Sequence, residues 1–203
     1  YTVSDDMNVT VNYEGLNNDE TRDAFFAVSE PFNVDNPISK NIILKRPFSQ
    51  INVGAYESDY AYAIEKNLNI TISSATIEDV PSKINLFDGT VSESVNVTYD
   101  FSAIPSGNNE LLYVDVDKNG ENEYYKYLSM CYVLSDTVGT THKMAFNFMD
   151  VEKNKNIGFS EGLEFVPAKR NWRTNVVGQI LIGAANFNVI IDPNYADDTD
   201  VLN

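Results

Sequence analysis

Val95-Asn96-Val97-Thr98-Tyr99-Asp100-Phe101 sets four apolar side chains at every second position, with polar ones between them. Side chains along a strand alternate between faces, so this segment offers one row to a core and the other to water. The same period returns along the chain. Val9, Val11 and Tyr13 alternate with Asn8, Thr10 and Asn12; Leu68, Ile70 and Ile72 with Asn69 and Thr71. Met144, Phe146 and Phe148, then Phe187, Val189 and Ile191, continue it. Turn formers separate the runs: Asp88-Gly89, Ser106-Gly107, Gly158, Gly162, and Lys118-Asn119-Gly120 between Leu111–Val116 and Tyr124–Leu134. Asn-Gly suits the positive φ angles of a tight hairpin. The pattern allows one short helix, over Ser58–Asn67, with Ser58 or Asp59 as its cap. These features predict an all-β protein, an antiparallel β-sandwich with Greek-key connections and little helix.

With 43% hydrophobic and 12% aromatic residues in 203, the chain can bury a sizeable core. Thirty acidic residues against 14 Lys and Arg give a net charge of −16. That field repels a phosphate backbone and excludes nucleic acid as a natural partner. A single Cys, Cys131, forbids an intrachain disulfide. The first residue is Tyr1, so a segment upstream of it is expected.

The chemical motifs fail on order or context, so no catalytic residue, metal ligand or cofactor is expected. Gly158-Phe159-Ser160-Glu161-Gly162 matches the G-x-S-x-G elbow, but the lone His142 lies upstream and the following segment reads as strand. Cys131 falls in an apolar strand-like run, where a buried, inert thiol is the rule. Asp115-Val116-Asp117-Lys118-Asn119-Gly120 opens like a calcium loop, yet Lys126 stands at the twelfth position, where a bidentate Glu is required. Asn-x-Ser/Thr sequons begin at Asn8, Asn69 and Asn96, where alternating strands naturally carry Asn and Thr on their wet face. Among thirty carboxylates no catalytic pair stands out. Ala168–Asn175 is the one dense basic and aromatic cluster, and makes Arg170, Trp172 and Arg173 candidate partner contacts.

Four segments carry a family resemblance. Ile43-Leu44-Lys45-Arg46-Pro47-Phe48-Ser49-Gln50-Ile51-Asn52 resembles the strand ending the first domain of fimbrillin-like proteins. Ile84-Asn85-Leu86-Phe87-Asp88-Gly89-Thr90-Val91, Tyr127-Leu128-Ser129-Met130-Cys131-Tyr132-Val133-Leu134 and Val166-Pro167-Ala168-Lys169-Arg170-Asn171-Trp172-Arg173-Thr174-Asn175 are similar to later signatures of the same proteins, in the same order. Cys131 stands where that pattern has Asn. The resemblance implies a Bacteroidales type V pilus subunit or accessory protein, built of transthyretin-like sandwiches. Residues 1–55 would be the latter part of an N-terminal domain whose start is missing, and 56–203 the C-terminal domain. It further implies a non-enzymatic structural or adhesive subunit of a fimbrium on the cell surface. The outer-membrane lipid anchor would lie upstream, and other fimbrial subunits would be partners through strand donation. Host or bacterial surface glycans or proteins are further expected partners. Ala196–Asn203 is acidic and unlike a donated strand. The phylum's D-[ST]-hydrophobic glycosylation pattern occurs at Asp136-Thr137-Val138, which makes Thr137 a candidate O-glycosylation site. Two alternatives come from other classes: a surface glycan-binding module stacking sugars on Tyr56, Tyr60, Tyr62 or Trp172, and a secreted glycoside hydrolase.

Overall fold

The computed structural model describes residues 1–29, 32, 33, 35, 37 and 39–193. Its strands are β1 (Thr2–Val3), β2 (Asn8–Thr10), β3 (Phe48–Ala55), β4 (Ile72–Asn85), β5 (Val91–Ala103), β6 (Leu111–Val114), β7 (Glu123–Leu134), β8 (Thr140–His142), β9 (Met144–Asp150), β10 (Lys155–Phe159), β11 (Val166–Ala168), β12 (Arg173–Gln179) and β13 (Asn186–Asp192). One α-helix, α1 (Glu57–Glu65), follows β3. No helix among the described residues is long and apolar enough to cross a membrane.

The protein is all-β, as the alternation predicts. One sheet has six strands centred on the long β4. β5 pairs along one side of β4, while β9 and β2 share its other side. The second sheet runs β13-β12-β3-β7-β6, antiparallel except for β3 beside β12. β8 and β11 form a small ribbon. The chain passes between the two large sheets four times from β3 onward, so neighbouring strands are often distant in sequence.

One apolar cluster fills the space between the sheets, with Ile51, Val53, Leu128, Val133 and Val176 from the second packed with Ala75, Ile77, Tyr99, Phe146 and Phe148 from the first. The Tyr99 hydroxyl donates across to the Tyr132 carbonyl at 2.7 Å. Asn17 bridges the sheets by donating to Ser73 Oγ and Ser129 Oγ. The row that opened the reading is buried only at its middle: Val97 and Tyr99 are inside, whereas Val95 and Phe101 are 39% and 38% exposed. The bulge at Ser73/Ala75 adds a residue to β5 between Tyr99 and Ser102 and re-aims Phe101, whereas Val95, still opposite the buried Val80, is exposed on the outermost strand of its sheet.

The boundary expected at 55/56 falls between β3 and α1. Strands on its two sides share both sheets and one core, since β3 lies between β7 and β12, and β2 pairs with β4. The segment 196–203 lies outside the described residues.

Two local expectations need correction. Neither Ser58 nor Asp59 caps the helix: the N-cap is Tyr56, which makes no side-chain cap bond. The Asp59 carboxylate turns instead to the loop after β12 and accepts the backbone N–H groups of Ile180, Leu181 and Ile182 at 2.7, 2.8 and 3.2 Å. Three donors in a buried loop outcompete the helix's own first turn for that carboxylate. The β6–β7 connection is also longer than a tight Asn-Gly hairpin, with positive φ at Lys118 (59°) and Gly120 (89°), not at Asn119.

Candidate functional site

The face of the second sheet turned away from the sandwich core carries the unusual chemistry. Alternation along β3 sends Ile51 and Val53 inward, and Gln50, Asn52 and Gly54 to the other side. Register places Arg173, Asn175 and Val177 of β12 beside those three. Gln50, Asn52 and Asn175 are all buried, although they lie on an outer face. Gln50 and Asn52 are covered by the side chains bonded to them, Tyr127, Met130, Tyr132 and Arg173, while β6 closes over the next stretch of the face. Leu112 and Val114 pack with Tyr125 and Val177 into a second, smaller apolar cluster on this side. Gly54 makes this possible: a Cβ there would lie 2.8 Å from Tyr125 Cβ and 3.1 Å from Leu112 Cδ2. A bulge at Val53/Gly54 in the β3–β7 ladder marks the same point.

Between β6 and β12–β13 this arrangement leaves a cleft in two adjoining parts, of about 310 and 640 Å³, both bordered by Tyr113, Asn175 and Asp192. Its floor is a chain of neutral hydrogen bonds. Tyr127 Oη donates to Asn52 Oδ1 at 2.5 Å, and Asn52 Nδ2 donates to Asn175 Oδ1 at 2.8 Å. Beside it, Arg173 Nε donates to Gln50 Oε1 at 3.1 Å, and Gln50 Nε2 donates to Tyr132 Oη at 3.1 Å. The first chain stops at Asn175. Its Nδ2 donates to no group among the described residues, and the residue is 4% exposed on the cleft wall. Turning the amide over would only replace that free donor by a free acceptor.

The candidate contacts separate here. Arg170 is held inside the protein: Nε donates to the Ser135 carbonyl at 3.0 Å, Nη2 to that of Gly89 at 2.6 Å, and the guanidinium lies 5.1 Å from the Phe26 ring centre. Arg173 and Trp172 both border the cleft, in its smaller and larger parts respectively. Trp172 also borders a separate cleft of about 640 Å³ beside the β8–β11 ribbon, and Lys169 Nζ sits 4.2 Å from its ring centre. Of the tyrosines expected for stacking, Tyr56 pairs with Tyr125, Tyr60 donates to the Ile70 carbonyl, and Tyr62 lies under Lys66. Thr137 is exposed in the bend after β7. The sequence reading missed Gln50, Asn52, Asn175 and Tyr113, whose only signal was polar residues in the middle of apolar strands.

The rejected motifs have visible structural roles. Asp115 accepts the backbone N–H groups of Asn119 and Gly120 at 3.1 and 2.9 Å, so its carboxylate is spent on the hairpin. Ser160 lies in the turn after β10, accepting from Leu163 N through its carbonyl. Burial pushes the Cys131 thiol up to about 12, which leaves it inert at neutral pH. His142 is buried on β8 between the Glu78 carbonyl and the Thr140 hydroxyl, each at 3.1 Å. Among the described residues no cluster of three His, Cys, Asp or Glu side chains is placed to hold a metal ion.

Fold and cleft together define a β-sandwich protein with a polar groove on one outer face. The chain belongs to the family of unknown function DUF6562, whose model matches residues 1–202. No curated protein matches it. Among solved structures it is similar to a "putative cell adhesion protein" from Bacteroides uniformis ATCC 8492, at 12% identity and a TM-score of 0.47, over 95% of this chain and 68% of the other. A second protein so described, from Parabacteroides distasonis ATCC 8503, aligns at 11% identity and a TM-score of 0.33, over 74% of this chain and 52% of its own.

Proposed function

We propose that this chain is a structural or adhesive subunit of bacterial cell-surface fimbriae, one that binds neighbouring subunits through a sheet edge and is not an enzyme. The observation that carries the reading is the state of β13. An exposed edge strand invites pairing with another chain, and proteins that avoid it shorten the edge, bulge it, or place Lys and Pro on it. The other edges use such devices. β1 has two residues, β6 has four, and β10 is short and begins with Lys155. β5 is bulged, holds Glu93 at a φ of 55°, and is partly occupied on its outer side by Gly15 and Asn17.

β13 has seven residues, Asn186-Phe187-Asn188-Val189-Ile190-Ile191-Asp192, without Lys, Arg or Pro. Its outer side makes no backbone hydrogen bond among the described residues. Main-chain bonds to an incoming strand supply affinity, and its alternating side chains supply selectivity. The four fimbrillin-like segments support the same reading, and with it a place at the outer membrane, held by a lipid anchor upstream of Tyr1.

The test replaces Asn188 with a photoreactive residue in the native host and irradiates intact cells. A ladder of crosslinked subunits is expected. Recovery of the monomer alone, with surface exposure verified by protease, would refute edge pairing.

A further inference from the structure

The pairing proposed for β13, on which this inference rests, constrains the strand received there as well as the edge that receives it. Register fixes the two faces of β13. Phe187, Val189 and Ile191 lie opposite Gly178, Val176 and Thr174, in the row that faces the sandwich core. Val176 and Thr174 are 0% and 1% exposed, yet Val189 and Ile191, one strand further out, are each 37% exposed. Phe187 is shielded by Phe159, whose ring meets it edge-on at 5.1 Å. The core row thus runs past its shelter toward the end of β13, while Asn186 and Asn188 on the other face are exposed polar residues.

An unpaired main-chain row beside exposed apolar side chains is completed by a strand, because cross-strand neighbours on one face pack against each other. The core-facing row of that strand must be apolar, since polar groups buried against Val189 and Ile191 would go unmatched. On the core side Ile191 borders the cleft of about 640 Å³ beside the β8–β11 ribbon. Pro167, Trp172 and Val138, the last 84% exposed, give that cleft apolar walls. Among the described residues Lys169 is its one charged lining side chain; it sits over the Trp172 ring and repels a second cation. A large uncharged side chain fits there. The net charge of −16 on each copy opposes the pairing of one β13 with another.

We infer that β13 receives a strand other than β13 from a neighbouring subunit, with an apolar row over Val189 and Ile191 and its largest side chain opposite Ile191, inserted in the cleft beside the β8–β11 ribbon.

The crosslinks formed at Asn188 should be digested and the partner segment sequenced by mass spectrometry. Alternate residues should be apolar, with Phe, Tyr, Trp, Leu or Met three positions from the crosslinked one, opposite Ile191. A synthetic copy of that segment, titrated into the full chain, should shift the methyl resonances of Val138, Val189 and Ile191. Replacing its large residue by Ala should weaken binding about tenfold or more. Val138→Asp should weaken it too and melt close to the parent, since the side chain is exposed. Asn186→Ser, on the opposite face, should bind as the parent does. A charged residue in the core-facing row, or binding that survives both the Ala replacement and Val138→Asp, would overturn the inference and leave edge pairing intact. So would a single crosslinked dimer joining β13 to β13, which marks a closed pair of copies. No crosslink at all overturns edge pairing, and this inference with it.

Discussion

Removing the Asp59 carboxylate tests how the helix is tied to the sheet. The side chain is 7% exposed and accepts three consecutive backbone N–H groups, those of Ile180, Leu181 and Ile182. In Asp59→Ala those donors lose a charged partner, and two belong to buried residues. A hydrogen bond to a charged group is worth about 1.5–3 kcal/mol, but three sharing one carboxylate are not additive, and the opened loop admits water. A net loss of about 3–4 kcal/mol is expected, near the top of the range for single substitutions. Asp59 also lies in the first turn of α1, where a negative charge gains about 0.3–1 kcal/mol from the helix dipole. Glu57→Ala, in the same turn, measures that part alone. Asp59→Asn keeps one acceptor but sets an NH₂ group against at least one N–H, so it should recover less than half of the loss. Urea unfolding at pH 7 provides the assay, with an unchanged slope marking a pure stability effect. Native-state hydrogen exchange should show faster exchange at residues 180–182. If Asp59→Ala costs no more than Glu57→Ala, the carboxylate is not the anchor and the reasoning fails.

Two further outcomes are expected. Gly54→Ala brings a methyl to 2.8 Å from Tyr125 Cβ, so it should cost about 1–3 kcal/mol. It should also lift β6 from the outer face, shifting the amide resonances of Leu111–Val114; unchanged resonances with full stability would show that β6 does not rest on that glycine. His142, the chain's one histidine, is held below the ordinary imidazole range chiefly by burial. The unfolded chain then takes up a proton near pH 6.5 that the folded one resists, so stability should fall as pH drops from 7 through 6.5 toward the folded pKa. The urea midpoint of the parent should decline over that interval and that of His142→Gln should not; an equal decline in both would remove His142 as the source.

The strands were legible because burial on one face imposes a period of two, and β2, β5, β9 and β13 lie where that period runs, whereas the Leu68–Ile72 run reaches β4 only at its last residue. The cleft was hidden for the same reason. In Phe48-Ser49-Gln50-Ile51-Asn52-Val53-Gly54-Ala55 every residue is buried, so Gln50 and Asn52 read as a wet face when they form a covered one. What covers them are the side chains of Tyr127, Tyr132 and Arg173, more than seventy residues further on, and no local pattern records that approach. Asp59 failed as a cap on the same ground, since a partner over a hundred residues distant outweighs a helix end beside it.

The Lys-Arg-Asn turn shows how a signature recognisable in sequence can hold the fold together at one residue and line a cleft a few positions later. Asn171 takes a φ of 62°, a conformation Asn tolerates, and its Oδ1 accepts the Arg46 backbone N–H at 3.0 Å. Its own N–H donates to the Phe48 carbonyl at 2.9 Å, while Arg170 binds the carbonyls of Gly89 and Ser135. Three of the four fimbrillin-like segments thus meet at this turn, and the fourth, β7, ends beside it at Ser135. Arg170 is therefore consumed in joining them, with its guanidinium turned into the protein. Two positions later the chain enters β12, and alternation carries Arg173 and Asn175 to the opposite, cleft-lining face. The clasp sets where β12 begins and hence its register against β3. That register puts Asn175 beside Asn52, which leaves one amide atom open to the cleft.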